Sequence, residues 1–259
     1  SEIPVILTFE YAQSRKAHAI VVIGHSFNRN GDIKSEYDKT DSRECYFSTA
    51  DLVDYFIISD DRRGPCQKLE IQESQDGSNA NLNFPDDADY DVGSLQSVIV
   101  PFPRGIWLDA EKAEKKAHTV LREILPKLSI EISDKIVLRT YLRPSNEFKR
   151  DAVETEPGKA RFKYELGKLL RGIRSPKYLW VTEITTEEEA KNKNKFGEIV
   201  LDPSGGRFDH DFLAMHFKGQ WIIREKDENG RDQIISYQIE GYTGPYAMFS
   251  RPSLSNRSC

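Results

Sequence analysis

The chain opens on Ile3, Val5, Ile6, Leu7 and Phe9, apolar residues in a strand pattern. After a polar turn, Gln13 to Lys16, comes His18-Ala19-Ile20-Val21-Val22-Ile23-Gly24, rich in β-branched residues and apolar on both faces. That composition predicts a central buried strand. Further strands are predicted at Tyr55-Phe56-Ile57-Ile58 and around Leu69 to Ile71. Between them lies Asn28 to Glu44, a polar stretch with the turn dipeptide Asn30-Gly31, which reads as an excursion from the sheet. Glu73 to Ser94 mixes aspartates with Gly, Ser, Asn and Pro, too polar to bury much surface, and predicts a boundary or a long surface loop.

The period then lengthens. Asp109 is placed to cap a helix on which Ala113, Ala117, Val120, Leu121, Ile124 and Leu125 recur at helical spacing. A strand is predicted at Ile136-Val137-Leu138, and a second helix on Phe162, Leu166, Leu169, Leu170 and Ile173 before Pro176. The remainder predicts hairpins: Tyr178 to Ile184 with Glu198 to Leu201, and Trp221 to Arg224 with Ile234 to Tyr237 around Asn229-Gly230. The expected organisation is α+β. Residues 1–97 would form a half-domain with an antiparallel or mixed sheet ending in the acidic loop, and residues 98–259 an α+β extension.

Length and charge narrow the function classes. A chain of 259 residues accommodates one large domain or two ordinary ones. The formal charge of -5 argues against a general nucleic-acid binder, which needs a basic surface to displace counterions. No apolar run approaches the roughly 20 residues that span a bilayer, so no membrane segment is expected. The three cysteines, Cys45, Cys66 and Cys259, show no CxxC spacing. An odd number without that spacing argues against a disulfide framework or a cysteine-rich zinc site and suggests a cytoplasmic protein. No cofactor and no metal are expected.

The chemistry lies in two strands. A cysteine nucleophile needs an imidazole to hold it as thiolate, and the imidazole needs an acceptor to orient it. Ile3-Pro4-Val5-Ile6-Leu7 followed by His18-Ala19-Ile20-Val21-Val22-Ile23-Gly24-His25 resembles the histidine region of the double-glycine leader peptidases and related papain-like cysteine peptidases. Tyr55-Phe56-Ile57-Ile58-Ser59-Asp60-Asp61 with Gly64-Pro65 resembles the aspartate region of that group.

The resemblance covers about a quarter of the chain and implies His18 as general base and Asp60 as its orienting partner, with Asp61 in reserve. It also implies a nucleophilic cysteine upstream of Ser1, supplied by a preceding segment or a partner chain, and a peptide or protein substrate. The two motifs stand further apart than the family has them, which requires the polar excursion to be an insertion.

Other features compete. A non-catalytic binding or assembly module could retain such a fold. Val22-Ile23-Gly24-His25-Ser26-Phe27 resembles the nucleophile elbow of α/β-hydrolases, with Ser26 at its tip, but Asn28 stands where the elbow has glycine. Cys45 and Cys66 open no helix that would lower a thiol pKa. Asp209-His210-Asp211 with His216 reads as a polar loop bearing solvated imidazoles, and Asp202-Pro203 as a turn after a strand. Trp107, Trp180 and Trp221 read as core.

Overall fold

The computed structural model describes residues 3–11, 14–28, 30–33, 36–37, 46–73, 80–85, 93–124, 126, 135–155, 167–168, 170–173, 175–204, 211–217, 219–226, 229–238 and 246–248. In chain order its strands are β1 (Val5–Tyr11), β2 (Ala17–Phe27), β3 (Glu36–Tyr37), β4 (Tyr46–Ser48), β5 (Val53–Asp60), β6 (Gly64–Glu73), β7 (Ala80–Asn83) and β8 (Gly93–Ile99). After helix α1 (Ala110–Ile124) come β9 (Val137–Pro144), α2 (Ser145–Thr155), β10 (Tyr178–Thr185) and the short helix α3 (Glu187–Lys191). Then follow β11 (Asn194–Lys195), β12 (Gly197–Leu201), β13 (Phe212–Phe217), β14 (Gln220–Lys226), β15 (Asp232–Gln238) and β16 (Tyr246–Ala247). The class is α+β. No helix among the described residues is long and apolar enough to cross a membrane.

The chain divides into two compact units, residues 1–31, 50–103 and 249–259 in one, and 32–49 with 104–248 in the other. The expected break at 97–98 falls inside β8. The polar excursion leaves the first unit's sheet: β3 within it pairs with β4 just beyond it, and both extend the sheet of the second unit. This detour accounts for the long separation of the two motifs.

In the first unit β1-β2-β5-β6-β7-β8 close an antiparallel barrel, with β8 returning to pair with β1. Inward residues follow the two-residue period. Leu7, Phe9, Tyr11, Ile20, Ile58, Leu69, Leu82 and Phe84 fill the interior. Strand β2 is therefore buried on one face only, and Ile23 on its outer face is exposed. Tight packing fixes Gly93, where a Cβ would lie 2.4 Å from Cδ2 of the Phe9 ring. The Asp-rich segment also contributes β7, because Leu82 supplies an inward apolar side chain between polar neighbours.

In the second unit the sheet order is β15-β14-β13-β12-β10-β9-β4-β3, antiparallel except for β4 beside β9. Helix α1 is capped as predicted, with Asp109 Oδ1 accepting from the Lys112 N–H at 2.8 Å. It buries Ala113, Ala117, His118, Leu121 and Ile124. Leu125 lies outside the described residues, as do Phe162, Leu166 and Leu169 of the second predicted helix. Helix α2 was not predicted. Phe148, buried, packs with Ala152 and Val153 against Leu179, Val181 and Trp221.

Candidate functional site

The tip of the β5–β6 hairpin explains the position of Asp60. Asp60 pairs with Gly64, so Asp61, Arg62 and Arg63 form the loop between them. The Asp60 side chain is short enough to bond its own backbone two residues on, and Oδ1 accepts from the Arg62 N–H at 2.8 Å. Gly64 takes φ +89°, a left-handed backbone that glycine adopts without a Cβ penalty. The Asp-Asp-Arg-Arg-Gly sequence thus encodes a tight turn and fixes a carboxylate at the end of β5.

His18 lies at the start of β2, opposite Phe9 of β1, and belongs to the same inward-facing row as Ile20. Phe9 meets the imidazole edge-on at 5.5 Å between ring centroids, and Tyr11 stacks on it at 6.2 Å. Because β2 pairs with β5, the imidazole reaches the hairpin tip. His18 Nε2 lies 3.1 Å from Asp60 Oδ1 and 3.3 Å from Asp61 Oδ1. The side chains of His18 and Asp60 are 8% and 0% exposed, whereas that of Asp61 is 80% exposed. The structure therefore brings all three expected residues together and distinguishes their surroundings: Asp60 is the buried acceptor and Asp61 a solvated neighbour.

Arg63 completes the cluster, and sequence reasoning missed it. Its Nη1 donates to Asp60 Oδ2 at 2.7 Å, and its guanidinium carbon lies 3.7 Å from the centre of the Phe84 ring. Burial opposes ionisation of Asp60. The Arg62 N–H, His18 and the Arg63 guanidinium outweigh it, and the carboxyl is held below its ordinary value. An ionised Asp60 only accepts, so Nε2 donates. The neutral ring then keeps its lone pair on Nδ1, which no described residue hydrogen-bonds. A neutral imidazole held in this way can take a proton at Nδ1 and return it.

His18, Asp60 and Asp61 also place three donor atoms within 4.8 Å of one another. The Arg63 guanidinium already supplies the positive charge that a cation would bring to Asp60.

Other expected positions fare differently. Ser26 lies within β2, and Asn28 donates its N–H to Leu52 O without starting a helix, so the strand–turn–helix of a nucleophile elbow is not built there. Cys66 sits on β6 with φ 63° and is disulfide-bonded, which departs from the expected reduced thiols and leaves it no thiolate. Cys45, Cys259, Asp209 and His210 lie outside the described residues. Trp180 and Trp221 are core, but Trp107 is 79% exposed.

His216 belongs to a buried row rather than a solvated loop. Across the second sheet, Arg139, Glu183, Glu198, His216 and Trp221 stand directly opposite one another on β9, β10, β12, β13 and β14. Lys195 of β11 spans the two carboxylates, with Nζ 3.0 Å from Glu183 Oε1 and 2.5 Å from Glu198 Oε2. Arg139 and Tyr141 also donate to Glu183. Burial works against the Lys195 charge, but the two carboxylates outweigh it and hold the ammonium above the usual lysine range. His216 is stacked on Trp221 at 4.7 Å and meets Tyr246 at 4.6 Å. Burial first, and then the Lys195 charge, depress its pKa to about 3. The carboxylates Glu183 and Glu198 balance the cations Arg139 and Lys195, which suits a structural network.

No family model, curated protein or solved structure matches the chain.

Proposed function

We propose that the barrel unit is the C-terminal part of a papain-like cysteine peptidase or amidase relative, in which His18 is the base and Asp60 its orienter. The observation that carries this reading is the 3.1 Å contact from His18 Nε2 to Asp60 Oδ1, which leaves Nδ1 as the basic nitrogen. In this reading a cysteine from a preceding segment or a partner chain meets Nδ1 and loses its proton there. The thiolate attacks an amide carbonyl of a peptide or protein, and His18 returns the proton to the leaving amine. Asp60 stays ionised and stabilises the imidazolium. Because Cys66 is disulfide-bonded, the cytoplasmic expectation, which rested on reduced cysteines, is not carried into this proposal.

A second reading is favoured by the burial of the pair. At 8% exposure, with Asp60 satisfied by Arg62, Arg63 and His18, the cluster can also serve as a polar plug for one end of the barrel in a binding or assembly module.

The product of the longest reading frame that contains this chain separates the two. Its cysteines are alkylated with iodoacetamide as a function of pH. The peptidase reading expects one cysteine that reacts rapidly below pH 6 and loses that reactivity in His18→Ala. Absence of any such cysteine both in this product and in any chain that co-purifies with it overturns the peptidase reading in favour of the module.

A further inference from the structure

Asp60 accepts from three sides, and only one of its partners is the imidazole. Oδ1 takes the Arg62 N–H and His18 Nε2, while Oδ2 takes Arg63 Nη1 at 2.7 Å. Arg63 itself is buried, 6% exposed, with its guanidinium against the Phe84 face. A surface arginine would wave in solvent, but this one is pinned by a ring on one side and a carboxylate on the other. Among the described residues, the groups facing His18 are Phe9 and Tyr11 of β1, Asp60 of β5 and Asp61 of the turn. Asp61 is solvated and strongly screened, so the dominant charge on the ring is Asp60, and the charge on Asp60 is shared with Arg63.

We propose that Arg63 is a positioning residue of the site, orienting the Asp60 carboxylate toward His18 and neutralising part of the charge that the carboxylate presents to the ring. A bare buried carboxylate 3.1 Å from an imidazole favours the imidazolium, which cannot accept a proton. A carboxylate already paired with a guanidinium still holds the ring but pulls less on its proton. The role of Arg63 as a tuner of catalysis rests on His18 being a base; its effect on the His18 ring does not.

The test is an NMR pH titration of His18 ring protons in the intact chain, a readout independent of any nucleophile. Arg63→Gln keeps a donor for Asp60 and removes the charge. The titration midpoint of His18 is expected to rise by about one pH unit, about tenfold in proton affinity. Arg63→Lys is expected to restore the wild-type midpoint. A midpoint in Arg63→Gln that is unchanged, or that falls because the pair has come apart, overturns the proposal. Should Arg63→Gln fail to fold, Phe84→Leu keeps the charge but frees the guanidinium, and a smaller rise is expected; no rise there overturns it equally. If the midpoints shift as expected while cysteine alkylation is indifferent to His18→Ala, the tuning stands and the peptidase reading falls.

Discussion

Asp60 binds His18 through one carboxylate oxygen and Arg63 through the other, so a single buried acid serves as partner to a base and to a cation. Asp60→Asn leaves the Arg63 guanidinium buried without its counterion. Removing one member of a buried pair costs about 3–5 kcal/mol. Urea unfolding followed by hydrogen exchange of the β1 and β5 amides measures the loss. The same change at solvated Asp61 is expected to cost under about 0.5 kcal/mol.

The low proton affinity of Asp60 makes the barrel acid-sensitive with a definite sign. Its folded pKa lies below the ordinary aspartate value, so on acidification the unfolded chain takes up this proton first. Its contribution is therefore complete above the unfolded pKa and is lost as pH falls through the folded one. Denaturant titrations between pH 2 and 6 are expected to show a steeper acid loss in the wild type than in Asp60→Asn.

His216 gives the second unit its own acid limb at higher pH. Its folded pKa of about 3 lies far below the ordinary 6.5, so the unfolded chain binds a proton that the native chain refuses. Between those values stability falls with falling pH, by up to about 1.4 kcal/mol per pH unit. All three tryptophans, Trp107, Trp180 and Trp221, belong to this unit, so tryptophan fluorescence follows its unfolding alone. His216→Phe, which can still stack on Trp221, is expected to flatten the fluorescence-detected pH profile below pH 6.5.

Lys195 is expected to be the most sensitive position of the buried row. Lys195→Met leaves Glu183 and Glu198 facing each other without the ammonium between them, at a cost of about 3–5 kcal/mol. Lys195→Met combined with Glu198→Gln is expected to recover a large part of the loss. Fluorescence-detected urea curves compare the three proteins.

Gly93→Ala tests the barrel core. The new methyl would lie 2.4 Å from the Phe9 ring, and overpacking of this kind costs about 1–3 kcal/mol. Combination with Phe9→Leu is expected to recover part of that cost, seen as a non-additive double-mutant cycle in urea unfolding.

The meeting of His18 and Asp60 was legible in the sequence because each stands at one end of a β-branched run, and pairing two such runs places their ends together. The hairpin tip was legible too, since Asp60, Gly64 and Pro65 are turn residues. Arg63 was not, because an arginine in a polar turn gives no sign that a ring such as Phe84, far along the chain, will bury it. Barrel closure was equally hidden: Ile6 pairs with Ile99, and no periodicity encodes a partner at that distance. Composition misled at β7, where one inward leucine among polar residues suffices to place a strand. Helix α2 carries only Phe148, Ala152 and Val153 as an apolar stripe, too short a signal before packing supplies the rest. His216 misled because Asp209, His210 and Asp211 suggested water, whereas the strand that follows them carries it into the core.

The row from Arg139 to Trp221 also bears on how the second sheet finds its alignment. A strand displaced by one residue exchanges its two faces. Were β12 to slip in this way, Glu198 would turn toward the face that carries Leu138, Trp180 and Met215, and Ile199 would meet the Lys195 ammonium. Each misaligned pairing strands a charge among hydrocarbon, so the acids and bases act as a key that admits one alignment of five adjacent strands and rejects its neighbours.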